Sequence, residues 1–147
     1  MEIVHSSEKK QLLTQLKEQF GIEKIPTGLL RFGKEKIRMY SGGLTGEELK
    51  ILDNNLRIEN MGLYLIKKGE DGLRLNLDAL PLLKNEIKKN ILEINDDQAK
   101  SWFKGEDLDI KSDSAYKILK NNKEFIGCGK STGEKITNYL PKERRIK

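Results

Sequence analysis

The chain has 147 residues and a formal net charge of +5, a length that accommodates one medium domain or two small ones, each with a modest core. Hydrophobic residues make up 36% and charged residues 35% of it, the balance of a folded, highly soluble protein rather than a disordered one. No apolar run approaches the roughly 18 residues of a membrane span, and Met1 to Ser6 lacks a basic segment followed by an apolar one, so a cytoplasmic location without a membrane partner is expected.

In chain order, Ser7 to Phe20 sets Leu12, Leu13, Leu16 and Phe20 at helical spacing, and Gly21 supplies a stop. Thr27 to Phe32 and Lys36 to Tyr40 read as a hairpin, the second strand alternating Ile37 and Met39 with Arg38 and Tyr40 across a turn at Gly33-Lys34. Thr45 with Glu48 has capping-box spacing and opens a short helix carrying Leu49 and Leu52, ending near Asn54-Asn55. Leu56 to Lys67 holds the apolar run Met61 to Ile66, expected of a strand covered on both faces; Gly69 to Gly72 then turns the chain into Leu73 to Leu77. Asp78 to Glu86 is predicted as a short helix that Pro81 limits to a turn or two. The charged stretch Lys84 to Asn90 has little apolar pattern and is the expected boundary between a domain over 1–88 and another over 89–147.

Past that boundary, Ile91 to Ile94 is a short strand, and Asn95 to Gln98 caps a helix carrying Ala99, Trp102 and Phe103 that Gly105 ends. Short strands are predicted around Leu108 to Ile110, Ser114 to Leu119, Glu124 to Cys128 and Ile136 to Leu140, with turns at Asn121-Asn122 and Ser131 to Gly133. One strand, one helix and then several strands describe a small mixed barrel, so the fold class is α+β in both parts.

Several catalytic readings fail on the residues. Gly127-Cys128-Gly129-Lys130-Ser131 resembles the end of a phosphate-binding loop, but Glu124 stands where the first glycine belongs and a β-like stretch follows where a helix is required. His5, the one histidine, falls in a stub expected to be mobile, which removes the usual base for a cysteine or serine nucleophile. The acidic pairs Glu47-Glu48 and Asp96-Asp97 open predicted helices, where carboxylates favour the positive end of the dipole. Cys128, between two glycines in an apolar strand, is expected to be a small buried residue. One cysteine cannot form an internal disulfide, and Cys128 with His5 does not make four zinc ligands. No metal, cofactor or catalytic residue is expected. Trp102, Phe103, Phe125 and Tyr139 are expected in the core.

Charge placement points elsewhere. From Lys120 onward there are eight basic and three acidic residues, so this segment carries the whole excess. Such a cluster at one end fits a polyanion partner, usually nucleic acid, and fits a solubilising tail equally well. Lys130, Lys135, Lys142, Arg144 and Arg145 lie beside glycine turns and a proline that would hold them on a fixed rim able to track a phosphate backbone. The Lys, Glu and Ile bias is of a kind seen in thermophile proteins.

Three segments carry a family likeness: Trp102 to Leu108, Phe125 to Lys130, and Asn138 to Arg145. They resemble a PUA domain, and most closely the PUA-like tail of Sun-type RNA cytosine-5 methyltransferases, where a Gly-x-Gly-Lys strand leads to an Asn-x-x-Pro-Lys-x-x-Arg ending. Archaeal stand-alone relatives of that tail are similar in size and layout. The likeness implies a small pre-PUA-like α+β domain followed by a PUA-like barrel. It also implies structured RNA, ribosomal or transfer, as partner, bound through the loop Lys104-Gly105-Glu106 and a surface including Lys130, Lys135, Asn138, Lys142, Arg144 and Arg145. The cofactor-binding glycine motif and the Pro-Cys catalytic sequence of those enzymes do not occur. The expectation is therefore a non-catalytic RNA-binding protein of RNA modification or ribosome biogenesis, with a separate modifying enzyme as a further partner. The alternative is an assembly factor that meets proteins and has only nonspecific RNA affinity.

Overall fold

The computed structural model describes residues 1–25, 28–56 and 62–146. Two sheets organise them. The first has five antiparallel strands in sequential order: β1 (Glu2–Ile3), β2 (Leu29–Phe32), β3 (Lys36–Met39), β4 (Leu63–Gly69) and β5 (Gly72–Leu75). Helix α1 (Ser6–Phe20) lies across one face, burying Leu12, Leu16 and Phe20, and ends on Gly21 in the left-handed conformation. Helix α2 (Gly46–Leu56) starts with the expected capping box: the Glu48 N–H donates to the Thr45 hydroxyl, and the Thr45 N–H donates to the Glu48 carboxylate. It seats Leu49 against Leu30 and Phe32 on the sheet's other face.

The second sheet is a curled half-barrel of β6 (Ile91–Glu93), β7 (Tyr116–Asn121), β8 (Glu124–Ser131) and β9 (Ile136–Thr137), with β6 parallel to β7 and the rest antiparallel. Helix α4 (Asp96–Phe103) opens on a complete Asn95–Gln98 capping box and drives Trp102 into the curl against Leu108, Leu119, Ile126 and Ile136. Gly127 makes that seat possible, because a side chain there would collide with the indole nitrogen. The α+β class and the barrel-like second part are as the sequence reading expected.

Between the sheets run a 3₁₀ turn (Leu77–Ala79) and the short helix α3 (Leu80–Leu83). Leu80 and Leu83 join α1, Leu75, Ile118 and Cys128 in the largest core, so residues on both sides of position 88 share one apolar interior. The seam is also polar. Asn90 reaches the Gln19 carbonyl, and the buried Lys117 ammonium donates to Asn90 Oδ1 at 3.0 Å and to Asp113 Oδ1 at 2.7 Å.

Several expectations need correction. The residues before His5 are no mobile stub: Glu2–Ile3 pair with β2, and the Met1 ammonium sits 3.5 Å from Asp53. A two-residue strand is too short to show in a hydrophobic pattern. The strand expected from Leu56 starts at Leu63, while Met61 lies outside the described residues. The predicted helix over Asp78 to Glu86 shrinks to the 3₁₀ turn and α3, with Pro81 in the first turn. Leu108 to Ile110 gives one bridge, Leu108 to Ile136. Tyr139 is 38% exposed rather than core, and Phe103 and Phe125 are half-buried.

Candidate nucleic-acid interface

The expected site residues fall into two groups. The first gathers where the C-terminal segment returns to the end of α4. Gly105 has φ +90°, a conformation that side-chain-bearing residues rarely adopt. A side chain there would also strike the guanidinium of Arg145, which lies over it. Arg145 Nε donates to the Leu140 carbonyl at 3.0 Å, and the Ile146 N–H donates to the Phe103 carbonyl at 2.8 Å. The segment is thereby strapped to the Lys104-Gly105-Glu106 loop.

Asn138 is the clasp. Its side-chain amide donates to the Trp102 and Glu106 carbonyls at 2.8 and 2.9 Å, while its Oδ1 accepts the Leu140 N–H at 2.8 Å. Its own N–H donates to Asp107 Oδ1 at 2.9 Å. That bond is the main reason the Asp107 carboxyl sits below the usual carboxylate range; Lys135, 3.1 Å away, adds to it, and partial burial works against both. Every polar group of the Asn138 side chain is engaged within the protein, so this residue holds the loop in shape rather than facing outward.

The cations divide by partner. Lys135 pairs with Asp107, Arg144 with Asp78 at 3.2 Å, and Lys130 with Asp71. Lys130 also lies 4.7 Å from the centre of the Tyr116 ring and turns toward the β4–β5 connection, away from the Gly105 loop. Among the described residues, Lys104, Lys142 and Arg145 have no carboxylate partner. They are also neighbours: Lys104 precedes the glycine that Arg145 covers, and the Arg145 N–H donates to the Lys142 carbonyl at 3.3 Å. Three of the five expected rim cations are thus neutralised locally, while Lys142 and Arg145, together with Lys104 of the loop, are left without a carboxylate partner among the described residues where the C-terminal segment meets Gly105.

Residues 89–146 match the family model described as Methyltransferase RsmF PUA domain. The second sheet and its strapped C-terminal segment are therefore PUA-like. Similarity also reaches the first sheet. A ribosomal RNA small subunit methyltransferase F of Vibrio cholerae is 26% identical over 138 residues, covering 92% of this chain and 28% of its own length. The protein of that name from Vibrio campbellii is 25% identical over 145 residues, covering 94% of this chain and 29% of its own. The one from Shewanella oneidensis is 32% identical over 93 residues, 60% of this chain and 19% of its own. The chain thus spans under a third of the length of these relatives, which are bacterial proteins.

Two features escaped the sequence reading. Arg74 of β5 lies with its guanidinium 4.2 Å from the centre of the Tyr139 ring, joining the first sheet to the PUA-like part. The aspartates that neutralise Lys130 and Arg144, Asp71 and Asp78, come from the first part of the chain. Neither is visible locally, since each pairs residues about 60 positions apart in sequence.

Cys128, the candidate nucleophile, is poorly placed for chemistry. Cys128 is buried, and burial pushes its thiol up to about 12, so almost none is thiolate near neutrality. His5 is exposed at the start of α1. No helix among the described residues is long and apolar enough to cross a membrane.

Proposed function

We propose that this chain is a non-catalytic RNA-binding protein or segment acting in ribosomal RNA modification, and that its PUA-like region grips folded RNA through Lys104, Lys142 and Arg145. The observation that carries the reading is that Lys104, Lys142 and Arg145 lack a carboxylate partner among the described residues where the C-terminal segment covers Gly105, within the stretch similar to the PUA domain of a methyltransferase. Unpaired cations on a loop fixed by Asn138 are poised for phosphate oxygens at little conformational cost. Lys135 and Arg144 serve as secondary contacts that must first leave Asp107 and Asp78. Lys130, turned to Asp71, braces the fold, and Asn138 positions the loop.

The names of the relatives favour ribosomal over transfer RNA as the target. Cytoplasmic action fits that target, and a separate modifying enzyme is the natural partner if the chain carries no chemistry of its own. The division at residues 88/89, the first residue of the family match being 89, gives an RNA-gripping half and a half that braces it.

The test is a salt titration of binding to a ribosomal RNA hairpin. Replacing Lys104 and Lys142 together by Gln should weaken binding and lower the salt slope by about 1 per lost phosphate contact. An unchanged slope overturns the assignment of this cluster. If unrelated RNA competes as well as the target does, the assembly-factor alternative replaces specific recognition.

A further inference from the structure

The face of the first sheet opposite α1 is chemically unlike the face that α1 covers. Register aligns Lys36 of β3 with Lys67 of β4, and Lys67 with Arg74 of β5, so three cations stand in a row across three adjacent strands. Neighbouring strands lie about 4.8 Å apart, which makes the row about 10 Å long. Directly opposed like charges oppose sheet pairing, and among the described residues the only carboxylate paired with the row is Glu35, 3.8 Å from Lys67. On the covered face, by contrast, Arg31 and Lys68 both reach Glu8 of α1, at 3.3 and 3.9 Å.

Aromatic rings stand at both ends of this row. Tyr64 lies 5.6 Å from the Lys36 ammonium and 5.3 Å from the Arg38 guanidinium, and at the far end Arg74 covers Tyr139. A hollow of about 250 Å³ opens beside Lys67, Arg74, Tyr116 and Tyr139. Lys36 is exposed, Lys67 and Arg74 are half-exposed, and α2 covers only the β2 end of the face.

We infer that this face binds an unpaired RNA strand, with Lys36, Lys67 and Arg74 on successive phosphates and bases stacking at Tyr139 and Tyr64. A row of weakly neutralised cations interleaved with rings is what single-stranded nucleic acid requires: charge to follow the backbone and π-faces that accept any base. The inference rests on the RNA-binding reading and extends it, since the face adjoins the PUA-like part through Arg74 and Tyr139. One RNA carrying a folded element and a single-stranded flank would then engage both parts of the chain, with the avidity that linked sites confer.

The test uses the full chain and two labelled probes, a 12-nucleotide oligoadenylate and a blunt RNA hairpin, titrated by fluorescence anisotropy at several KCl concentrations. K67Q/R74Q should weaken oligoadenylate binding at least tenfold and reduce its salt slope by about 1.4, since each contact to a single strand contributes about 0.7, while hairpin binding stays unchanged. Tyr139→Leu should cost roughly tenfold for oligoadenylate without moving the slope, because stacking releases no counterion. Arg74→Lys, which keeps the charge and the fold, should retain the slope. Unchanged oligoadenylate affinity in K67Q/R74Q overturns the inference, as does displacement of the probe by polyglutamate as effective as by unlabelled oligoadenylate, which would mark a site for acidic protein. The Lys104 and Lys142 replacements should act on the hairpin alone, so failure of that cluster and failure of this face are read on different probes.

Discussion

The two parts of this molecule hold their positive charge in opposite ways. The PUA-like part, from residue 89 onward, carries +3 of the formal charge of +5, yet Lys130, Lys135 and Arg144 are each spent on an aspartate. The first sheet belongs to a stretch, residues 1–88, with a formal charge of only +2, yet β-pairing sorts its charges by face, with Glu8 meeting the cations under α1 and Lys36, Lys67 and Arg74 aligned on the other side. Net charge along a sequence is therefore a poor guide to where a polyanion will sit. What decides is which cations find a carboxylate once the chain is folded.

The comparison loses meaning if the two parts are independent bodies, and Trp102→Ala tests that. Removing the indole from the curl of the second sheet should cost about 3–5 kcal/mol. Because Ile118 and Cys128 of that sheet pack into the same core as α1, denaturant unfolding of the variant should remain one transition at a lower midpoint. Two separated transitions, with the first sheet's unchanged, would show that the shared core does not couple them. Next in size is Asn138→Ala, which deprives the Trp102 and Glu106 carbonyls and the Leu140 N–H of their partner. About 1–3 kcal/mol should be lost. Hairpin affinity should fall with it while oligoadenylate affinity holds, because only the Gly105 loop is loosened.

How much of this was legible beforehand follows from the range of each interaction. Leu12, Leu16 and Phe20 at helical spacing, the Thr45–Glu48 and Asn95–Gln98 boxes and the glycine after Phe20 are local signals, and each produced the helix it announced. The likeness of Trp102 to Leu108 and of the C-terminal motif to PUA sequences pointed to the Gly105 loop, but the strap that the C-terminal segment lays across it showed only in the fold. The Arg74–Tyr139 stack and the Asp71 and Asp78 pairings depend on how the two sheets meet, which no local pattern encodes. The row Lys36, Lys67, Arg74 was half visible: Lys36-Ile37-Arg38 alternates charge with an apolar residue in the manner of a half-buried strand, but only the register brings the three cations together.

At alkaline pH, Cys128 reports on the shared core. Its thiol is raised by burial well above the ordinary value near 8.5. A raised acid is favoured in its neutral form, so its contribution to stability is complete below the unfolded value and is lost as pH climbs through the folded one. Stability should decline from about pH 9 upward, by at most about 1.4 kcal/mol per pH unit from this group. Cys128→Ala should flatten that decline in denaturant titrations at pH 8, 9 and 10, and native Cys128 should resist thiol reagents at pH 8 until the protein unfolds.

The smallest effect lies at Asp107, which separates the local neutralisation of the PUA-like cations from their use. Its carboxyl is held below the usual range, first by the Asn138 N–H and then, against the desolvation that partial burial brings, by Lys135. Lowered acids work in the opposite sense to Cys128: the stabilisation is complete above the unfolded value near 3.9 and drains away as pH falls through the lower folded one. Asp107→Asn keeps an acceptor for the Asn138 N–H but loses the charge, so at neutral pH it should cost no more than about 1 kcal/mol, as for an exposed pair. The gap between the two proteins should then close as the pH is taken below 3. The same change frees the Lys135 ammonium and removes a negative charge beside the loop, so hairpin binding should tighten at low salt while oligoadenylate binding stays put. Tighter binding of both probes would mean that the two surfaces are one electrostatic field, and the contrast between the parts of the molecule would have to be redrawn around long-range charge instead of local pairing.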